Sequence, residues 1–530
     1  MIIDQTALLP AYAAAVAAVL VLLTDLFAGP RAVIAATAAG AVLTAGAAVL
    51  VGVGPDRLSF CAGDACSYLA TDRAALIGVL FALLALAVLA LSAPMLRAGA
   101  VPAGEYCFLL ACSMTGGVVL GAAGDLITLI VALETLTLPL YLLVGLRRVA
   151  SPRAVFTGVG APVFPEPPVE DGDVRLHAEQ DVAAEQLRME RTGAESAVTF
   201  FVVSVVATSV TLLGAALLYA ATGALHLSAL AAAITAGPSA GAGAPGGPAP
   251  LIGVGCALLV GGLAFKVAAV PFHAWAPATY DGAPLPVAAY LSTASKLGGV
   301  VALLAVVHHV LPVAETGPVL AVLAVLTMTV GNVVALRQTR TVRLLAWSSV
   351  AQAGYILAPL GASALGSPPQ DPLVAATLAY AAFFVLLELA AFAAVVALRP
   401  AAADGGDLAD YRGVARRAPW VGGMLAFALI GLAGLPPALA GLFAKVTVVR
   451  ALVDGGASWL ALIVALNAVI GLAYYVRVAA LLYGTPTRDG SAGTGWTHVP
   501  WPVGAVLVVT TVLAVTLGFA PEPLLRLTAL

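Results

Sequence analysis

The chain has only three lysines, and all of them fall inside long apolar runs: Lys266, Lys296 and Lys445. If these runs cross a bilayer, a charged side chain at its centre costs about 2.5–3.5 kcal/mol and marks a functional position. Arginine stays protonated in essentially any site, whereas a buried lysine releases its proton more readily. The pattern therefore favours a proton relay. Lysines that extend to the bilayer surface are the alternative.

Two acidic residues also lie in the middle of apolar runs. Glu134 lies in LITLIVALETLTLPLYLLVGL and Glu388 in YAAFFVLLELAAFAAVVAL. An isolated buried carboxylate takes up a proton or seeks a cation, so we expect Glu134 to pair with Lys266. A static ion pair that fixes helix packing is the alternative. His308 lies near the outer end of its run, where it either extends the relay outward or forms an interfacial polar cap.

The composition excludes most classes of protein. Of 530 residues, 62% are hydrophobic and 10% are charged, whereas soluble domains have about 45–50% and about 25%. This excludes a soluble enzyme, a nucleic-acid-binding protein and a disordered chain, and indicates an integral membrane protein. The histidines and cysteines lack zinc or iron–sulfur spacing, and no nucleotide-binding glycine motif follows a strand. We therefore expect no metal and no cofactor in this chain.

The apolar runs predict an all-α, multi-pass fold, because a helical span needs about 20 apolar residues. Fourteen candidate spans lie near 8–29, 32–53, 73–95, 106–123, 125–146, 196–222, 251–275, 284–311, 317–336, 341–365, 371–398, 420–452, 457–483 and 500–520. Placing both termini outside puts 17 arginines inside and four outside, as the positive-inside rule requires. Cys61 and Cys66 then lie outside, either as a disulfide or as two free thiols.

Two spans are predicted to be broken, because proline removes a backbone hydrogen bond and clashes with the preceding turn. In span seven Pro271 follows Lys266, and in span twelve Pro436 and Pro437 precede Lys445. Broken helices at membrane depth must lie against protein or a water-filled cavity. The two spans are five apart and run in opposite directions, which suggests two inverted five-helix repeats, spans 4–8 and 9–13.

This organisation divides the chain into four segments. They are an N-terminal three-helix segment (1–105), a first repeat (106–311), a second, inverted repeat (312–483), and a C-terminal loop with the last helix (484–530). The first repeat contains an acidic insertion on the inside at 149–195, with nine carboxylates and a short helix expected near 176–191.

Four stretches of the chain resemble subunit N of bacterial proton-pumping NADH:quinone oxidoreductase, respiratory complex I. GLAFKVAAVPFHAWAPATYDGAPLPVAAYLSTASK (262–296) closely resembles its span-seven motif, and RLLAWSSVAQAGYIL (343–357) the signature that follows. DLADYRGVARRAPWVGGMLAFALIGLAGLPPALAGLFAKVTVV (407–449) resembles its span-twelve region, and LETLTLPLYLLVGL (133–146) matches its glutamate motif. The resemblance covers about residues 105–480.

The resemblance implies roles for the matching residues. Glu134 and Lys266 form a buried pair that gates proton transfer, Lys296 is the central relay, and Lys445 is the terminal residue. It also implies a bacterial cytoplasmic membrane location, other membrane subunits of the complex as partners, and no nucleic acid. NADH, flavin, iron–sulfur and quinone sites are expected on those partner subunits. Glu388 departs from the family, whose members often carry a neutral residue there. We expect it either to supplement the central axis of the relay or to pair with Lys445 or Lys296.

Two other functions remain open at this stage. A subunit of a multisubunit sodium/proton antiporter or of a membrane-bound hydrogenase would use the same lysines for a different coupling. A structural membrane scaffold would use the buried charges only to pack helices, and Lys→Arg replacements would then have mild effects.

Overall fold

The computed structural model describes residues 3–63, 65–146, 172–236, 249–309, 313–362, 370–400, 403–485 and 499–528. Its helices are α1 (Leu9–Phe27), α2 (Pro30–Gly52), α3 (Asp72–Arg97), α4 (Ala103–Gly121), α5 (Leu126–Gly145), α6 (Gly172–Thr222), α7 (Leu227–Ala236), α8 (Ala249–Val267), α9 (Trp275–Gly282), α10 (Leu285–Tyr290), α11 (Lys296–His309), α12 (Val313–Ala335), α13 (Thr341–Ala362), α14 (Gln370–Leu398), α15 (Val414–Arg417), α16 (Pro419–Ala433), α17 (Leu439–Asp454), α18 (Ser458–Leu482), α19 (Trp501–Phe519) and α20 (Glu522–Thr528). A π-helical turn (Leu291–Ser295) joins α10 to α11, and a 3-10 turn covers Leu408–Tyr411.

The all-α membrane fold is confirmed. Within the described residues, twelve helical segments are long and apolar enough to cross a membrane. The other two predicted spans are also helical: 341–365 corresponds to α13, and 420–452 is divided into α16 and α17. The count of fourteen membrane crossings, the inverted repeats and the four segment boundaries stay predictions.

Both predicted breaks occur where the prolines lie. Helix α8 ends at Val267, and α9 begins only at Trp275, on the other side of Pro271. Ala268 has a φ of 62°, a left-handed conformation that costs a non-glycine residue about 1–2 kcal/mol. Helix α16 ends at Ala433, and α17 begins at Leu439 after the two prolines.

The insertion differs from its prediction. The short helix expected near 176–191 and the span expected at 196–222 form one continuous helix, α6. Its sequence contains no proline between 172 and 222 and is rich in strong helix formers, so nothing interrupts it. The remainder of the insertion, 149–171, lies outside the described residues.

An antiparallel hairpin, β1 (Arg57–Ala62) and β2 (Ala65–Ala70), connects α2 to α3. Cys61 and Cys66 face each other across it and form a disulfide, so the disulfide alternative is confirmed. The backbone NH of Leu69 donates to the carbonyl of Ala122, which attaches the hairpin to the end of α4.

The helices that carry the buried charges lie at the centre of the bundle. In an 18-residue window of the segment Leu285–Val307, 94% of the residues are buried, against 28% in α1. Helix α14 packs against α10, the π-helical turn and α11. Lys296 therefore lies in the most buried of these twelve segments.

Candidate functional site

Glu134 and Lys266 form the ion pair that the sequence predicts. Asp125 caps the start of α5 by accepting a hydrogen bond from the Thr128 backbone NH at 2.8 Å, and Glu134 follows about two turns later. Lys266 lies in the last turn of α8, where a cation is favoured by the helix dipole. Its Nζ donates to Glu134 Oε1 at 2.7 Å, and its side chain is only 4% exposed.

Neutral hydroxyl groups complete the surroundings of this pair. Lys266 Nζ also donates to Ser204 Oγ at 3.0 Å and to Thr137 Oγ1 at 3.1 Å. Thr208 Oγ1 donates to Glu134 Oε1 at 2.6 Å. Lys266 would therefore keep hydrogen-bond acceptors if Glu134 moved away, but it would lose its only partner of opposite charge among the described residues.

The first break is held by the residues that follow it. The indole Nε1 of Trp275 donates to the carbonyl of Phe265 at 3.0 Å, and the Val270 backbone NH donates to Thr327 Oγ1 at 2.9 Å. Broken helices leave backbone groups without helical partners, and these bonds satisfy two of them. The break thus has a defined geometry immediately after Lys266.

Lys296 is the first residue of α11, directly after the π-helical turn. It is 1% exposed, and its Nζ donates to the backbone carbonyl of Ser349 on α13. The ammonium group also lies 6.0 Å from the centre of the Phe384 ring on α14. Lys296 therefore lies against α13 and α14, two helices that follow it in the chain.

Lys445 bonds to the helix that ends at the second break. Its Nζ donates to the carbonyls of Leu432 at 3.2 Å and Ala433 at 2.5 Å, the last residues of α16. These carbonyls have no helical partner because the helix stops there. The ammonium group also lies 5.5 Å from the centre of the Tyr355 ring.

A polar connection links the surroundings of Lys296 to Lys445. Gln352 lies on α13, about one turn after Ser349, and its Nε2 donates to the Leu432 carbonyl at 3.1 Å, an acceptor it shares with Lys445. Gln352 Nε2 also donates to the hydroxyl of Tyr475, and its Oε1 accepts from Tyr380 at 2.6 Å. Gln352 lies in the motif RLLAWSSVAQAGYIL, but its residue type alone did not predict a role for it.

Glu388 and His308 are the two remaining residues of the predicted relay. Glu388 is 0% exposed on α14, and neither carboxylate oxygen has a hydrogen-bond partner among the described residues. It therefore makes no hydrogen bond to the Glu134–Lys266 pair. His308 lies near the end of α11, but its side chain is outside the described part of the chain, so its role stays a prediction.

Outside the spanning helices, an ion-pair network joins the two predicted repeats. Arg340, just before α13, donates to both oxygens of Asp281 at 2.9–3.0 Å and to Asp404 at 2.8 Å. Arg399 also donates to Asp404. Burial raises the pKa of Asp404, but Arg340 outweighs it and holds that pKa below its usual value. Burial raises the pKa of Asp281 despite the same arginine.

Similar proteins point to one family. A family model described as NADH:quinone oxidoreductase/Mrp antiporter, TM, matches residues 186–471. NADH-quinone oxidoreductase subunit N of Salinispora tropica is 60% identical, over 99% of this chain and 99% of that protein. A chain of Thermus thermophilus respiratory complex I, solved with bound aureothin, has a TM-score of 0.71 and 28% identity, covering 98% of this chain and 99% of that one. A chain of the Mrp complex from Dietzia sp. has a TM-score of 0.74 at 20% identity, over 99% and 96%, which shows a shared fold alone.

Proposed function

The chain belongs to the family of subunit N of NADH-quinone oxidoreductase, and from this we propose that it translocates protons through a relay of Glu134, Lys266, Lys296 and Lys445. It is an antiporter-like, multi-pass membrane subunit of that enzyme complex and assembles with other membrane subunits. The observation that carries the proposed relay is the 2.7 Å ion pair between the buried Lys266 and the partly buried Glu134.

The closed pair acts as the gate of the relay. An opposite charge at hydrogen-bond distance favours the charged form of lysine, and its removal favours the neutral form. When quinone reduction in a partner subunit moves Glu134 away, Lys266 keeps only hydroxyl partners and releases its proton. The proton then passes toward the centre of the protein, to Lys296.

The second half of the path runs from Lys296 to Lys445. Lys296 donates to Ser349 on α13, and Gln352, one turn later on the same helix, shares the Leu432 carbonyl with Lys445. Lys445 releases the proton at the end of the relay. His308 extends the path outward from the end of α11.

The remaining chemistry belongs to the partners in this proposal. NADH, flavin, iron–sulfur and quinone sites lie on other subunits of the complex, and this chain carries none of them. The complex lies in the bacterial plasma membrane with both termini of this chain outside. A membrane-impermeant thiol reagent applied to intact cells after mild reduction should therefore label Cys61 and Cys66. Labelling only in inverted vesicles would contradict the orientation.

The 60% sequence identity to a subunit N over 99% of this chain favours this function over the alternatives. The relationship to the Mrp complex rests on 20% identity and supports the fold only. The substitution of Lys296 described next distinguishes the structural-scaffold function from the proton relay.

Lys296→Met tests the relay at its centre. The proposal predicts that the complex assembles and that NADH-driven proton uptake by inverted membrane vesicles falls at least tenfold. Ser292→Ala is the matched control, because Ser292 lies one turn earlier, is buried, and donates only to the Ala289 carbonyl of its own helix. Full proton uptake in Lys296→Met would show that Lys296 carries no proton and would leave the scaffold function standing.

A further inference from the structure

Glu388 is a buried acid that the four-residue relay does not use. Its side chain is 0% exposed, and both carboxylate oxygens lack a hydrogen-bond partner among the described residues. An ionised carboxylate in such a place is strongly unfavourable unless a cation is close by. A residue that served only to pack helices would not need a carboxyl group here.

Lys296 is a buried cation on an element that packs against α14. Lys296 Nζ lies 6.0 Å from the centre of the Phe384 ring on α14. Phe384 is four residues before Glu388, and residues four apart lie on the same helix face. Lys296 therefore lies beside the face of α14 that carries Glu388.

The two groups are not bonded to each other in this structure. Lys296 Nζ donates to the Ser349 carbonyl instead. The Glu134–Lys266 pair, in contrast, is closed at 2.7 Å. In the described part of the chain, Glu134 and Lys266 are thus hydrogen-bonded to each other, whereas Glu388 and Lys296 are not.

The helix of Glu388 also borders the groups that lead to Lys445. Tyr380, on the same helix, donates to Gln352 Oε1 at 2.6 Å, and α14 packs against α17, which carries Lys445. Gln352 donates in turn to the Leu432 carbonyl, which Lys445 also binds. Helix α14 therefore contacts the elements of both the central lysine and the terminal one.

We propose that Glu388 and Lys296 form a second proton-exchanging pair, which holds a proton at the centre of the membrane between Lys266 and Lys445. In the transfer, the O–H bond of the protonated Glu388 carboxyl breaks and an N–H bond forms on the neutral Lys296 amine. The products are a carboxylate and an ammonium ion, so the pair has no net charge before or after the step. This inference rests on the proposed function and adds an acid to its central position.

The test replaces the acid with a neutral group of the same shape. Glu388→Gln keeps the size and the hydrogen-bonding capacity of a protonated glutamate but cannot give up an acidic proton. Glu388→Asp keeps the acid. Thr377→Val is the matched control on the same helix, since Thr377 is buried and its hydroxyl donates only to the Leu373 carbonyl. Subunit content of the purified complex is measured first for each variant.

The proposal predicts that NADH-driven proton uptake falls at least tenfold in Glu388→Gln, recovers partly in Glu388→Asp and is unchanged in the control. Infrared difference spectra of the complex before and after NADH addition report changes in carboxyl protonation. A residue with a purely structural role would contribute no such change. The signal of a carboxyl group that changes protonation should be present in the wild type, shifted in Glu388→Asp and absent in Glu388→Gln.

Wild-type proton uptake in Glu388→Gln would overturn the second pair. If Glu388→Gln does not assemble, the infrared signal in Glu388→Asp decides, and an unshifted signal overturns the proposal. The outcome is separable from the proposed function: inactive Lys296→Met with active Glu388→Gln rejects only this pair, whereas active Lys296→Met rejects the relay itself.

Discussion

Substitutions of Lys445 distinguish a proton relay from a scaffold most sharply. One substitution can keep its hydrogen bonds to the helix end while it removes its ability to release a proton. Its Nζ donates to the carbonyls of Leu432 and Ala433 at the end of α16. Hydrogen bonds that involve a charged group contribute about 1.5–3 kcal/mol each. Lys445→Met removes both bonds and should weaken the second break by about 3–6 kcal/mol. We expect less of the subunit in the purified complex.

Lys445→Arg keeps the cation and the donors. Its longer side chain can still reach the two carbonyls, so assembly should be close to that of the wild type. Arginine has a reference pKa at least about 2 units above that of lysine, so its deprotonated fraction is at least about 100-fold smaller. If Lys445 must release a proton in each cycle, Lys445→Arg should lose proton uptake while it keeps its place in the complex.

The assay is NADH-driven proton uptake in inverted membrane vesicles, normalised to the amount of assembled complex. The relay account predicts that Lys445→Arg is assembled and inactive and that Lys445→Met is poorly assembled and inactive. A scaffold account predicts normal uptake in Lys445→Arg. Uptake above half of the wild-type rate in Lys445→Arg would refute the reasoning that Lys445 gives up a proton.

Thr208→Val should lower proton uptake about tenfold or more, because it removes a hydrogen bond of about 1.5–3 kcal/mol to Glu134. Thr211→Val, whose hydroxyl bonds only within its own helix, is the control, and equal uptake in the two variants would contradict the prediction. Asp404→Asn should lower the melting temperature of the complex more than Asp281→Asn, because the pKa of Asp404 is held low and that of Asp281 is raised. The stabilisation by Asp404 is present at neutral pH and is lost as the pH falls through its folded pKa, so the Asp404→Asn difference should shrink in acid. A larger effect of Asp281→Asn at neutral pH would oppose this.

Much of the fold could be predicted from residue types alone. The apolar runs predicted the helices, and the prolines near 271 and 436 predicted the two breaks, because proline acts locally on the backbone. The continuity of α6 was missed because the change from charged to apolar residues near 191–196 was interpreted as the boundary between a short helix of the insertion and the next span. Charge indicates that a segment is exposed, but it does not indicate where a helix ends.

The candidate site was predicted less completely than the fold. The Glu134–Lys266 pair followed from the high cost of an unpaired buried charge, which leaves few partners. The neutral partners Ser204, Thr208 and Gln352 could not be predicted, since neutral polar residues also occur where they bond only to their own helix. Their roles depend on which helices become neighbours, and that is set by packing of the whole bundle.

The central claim is that the buried lysines move protons in step with quinone reduction, and Lys266→Ala tests it most directly. NADH-driven quinone reduction and proton uptake are recorded together in inverted vesicles, with Thr44→Val as a buried control whose hydroxyl bonds only to Gly40 of its own helix. The account predicts that both activities collapse in Lys266→Ala while the complex stays assembled. Unchanged NADH oxidation and unchanged proton uptake in an assembled Lys266→Ala complex would contradict it.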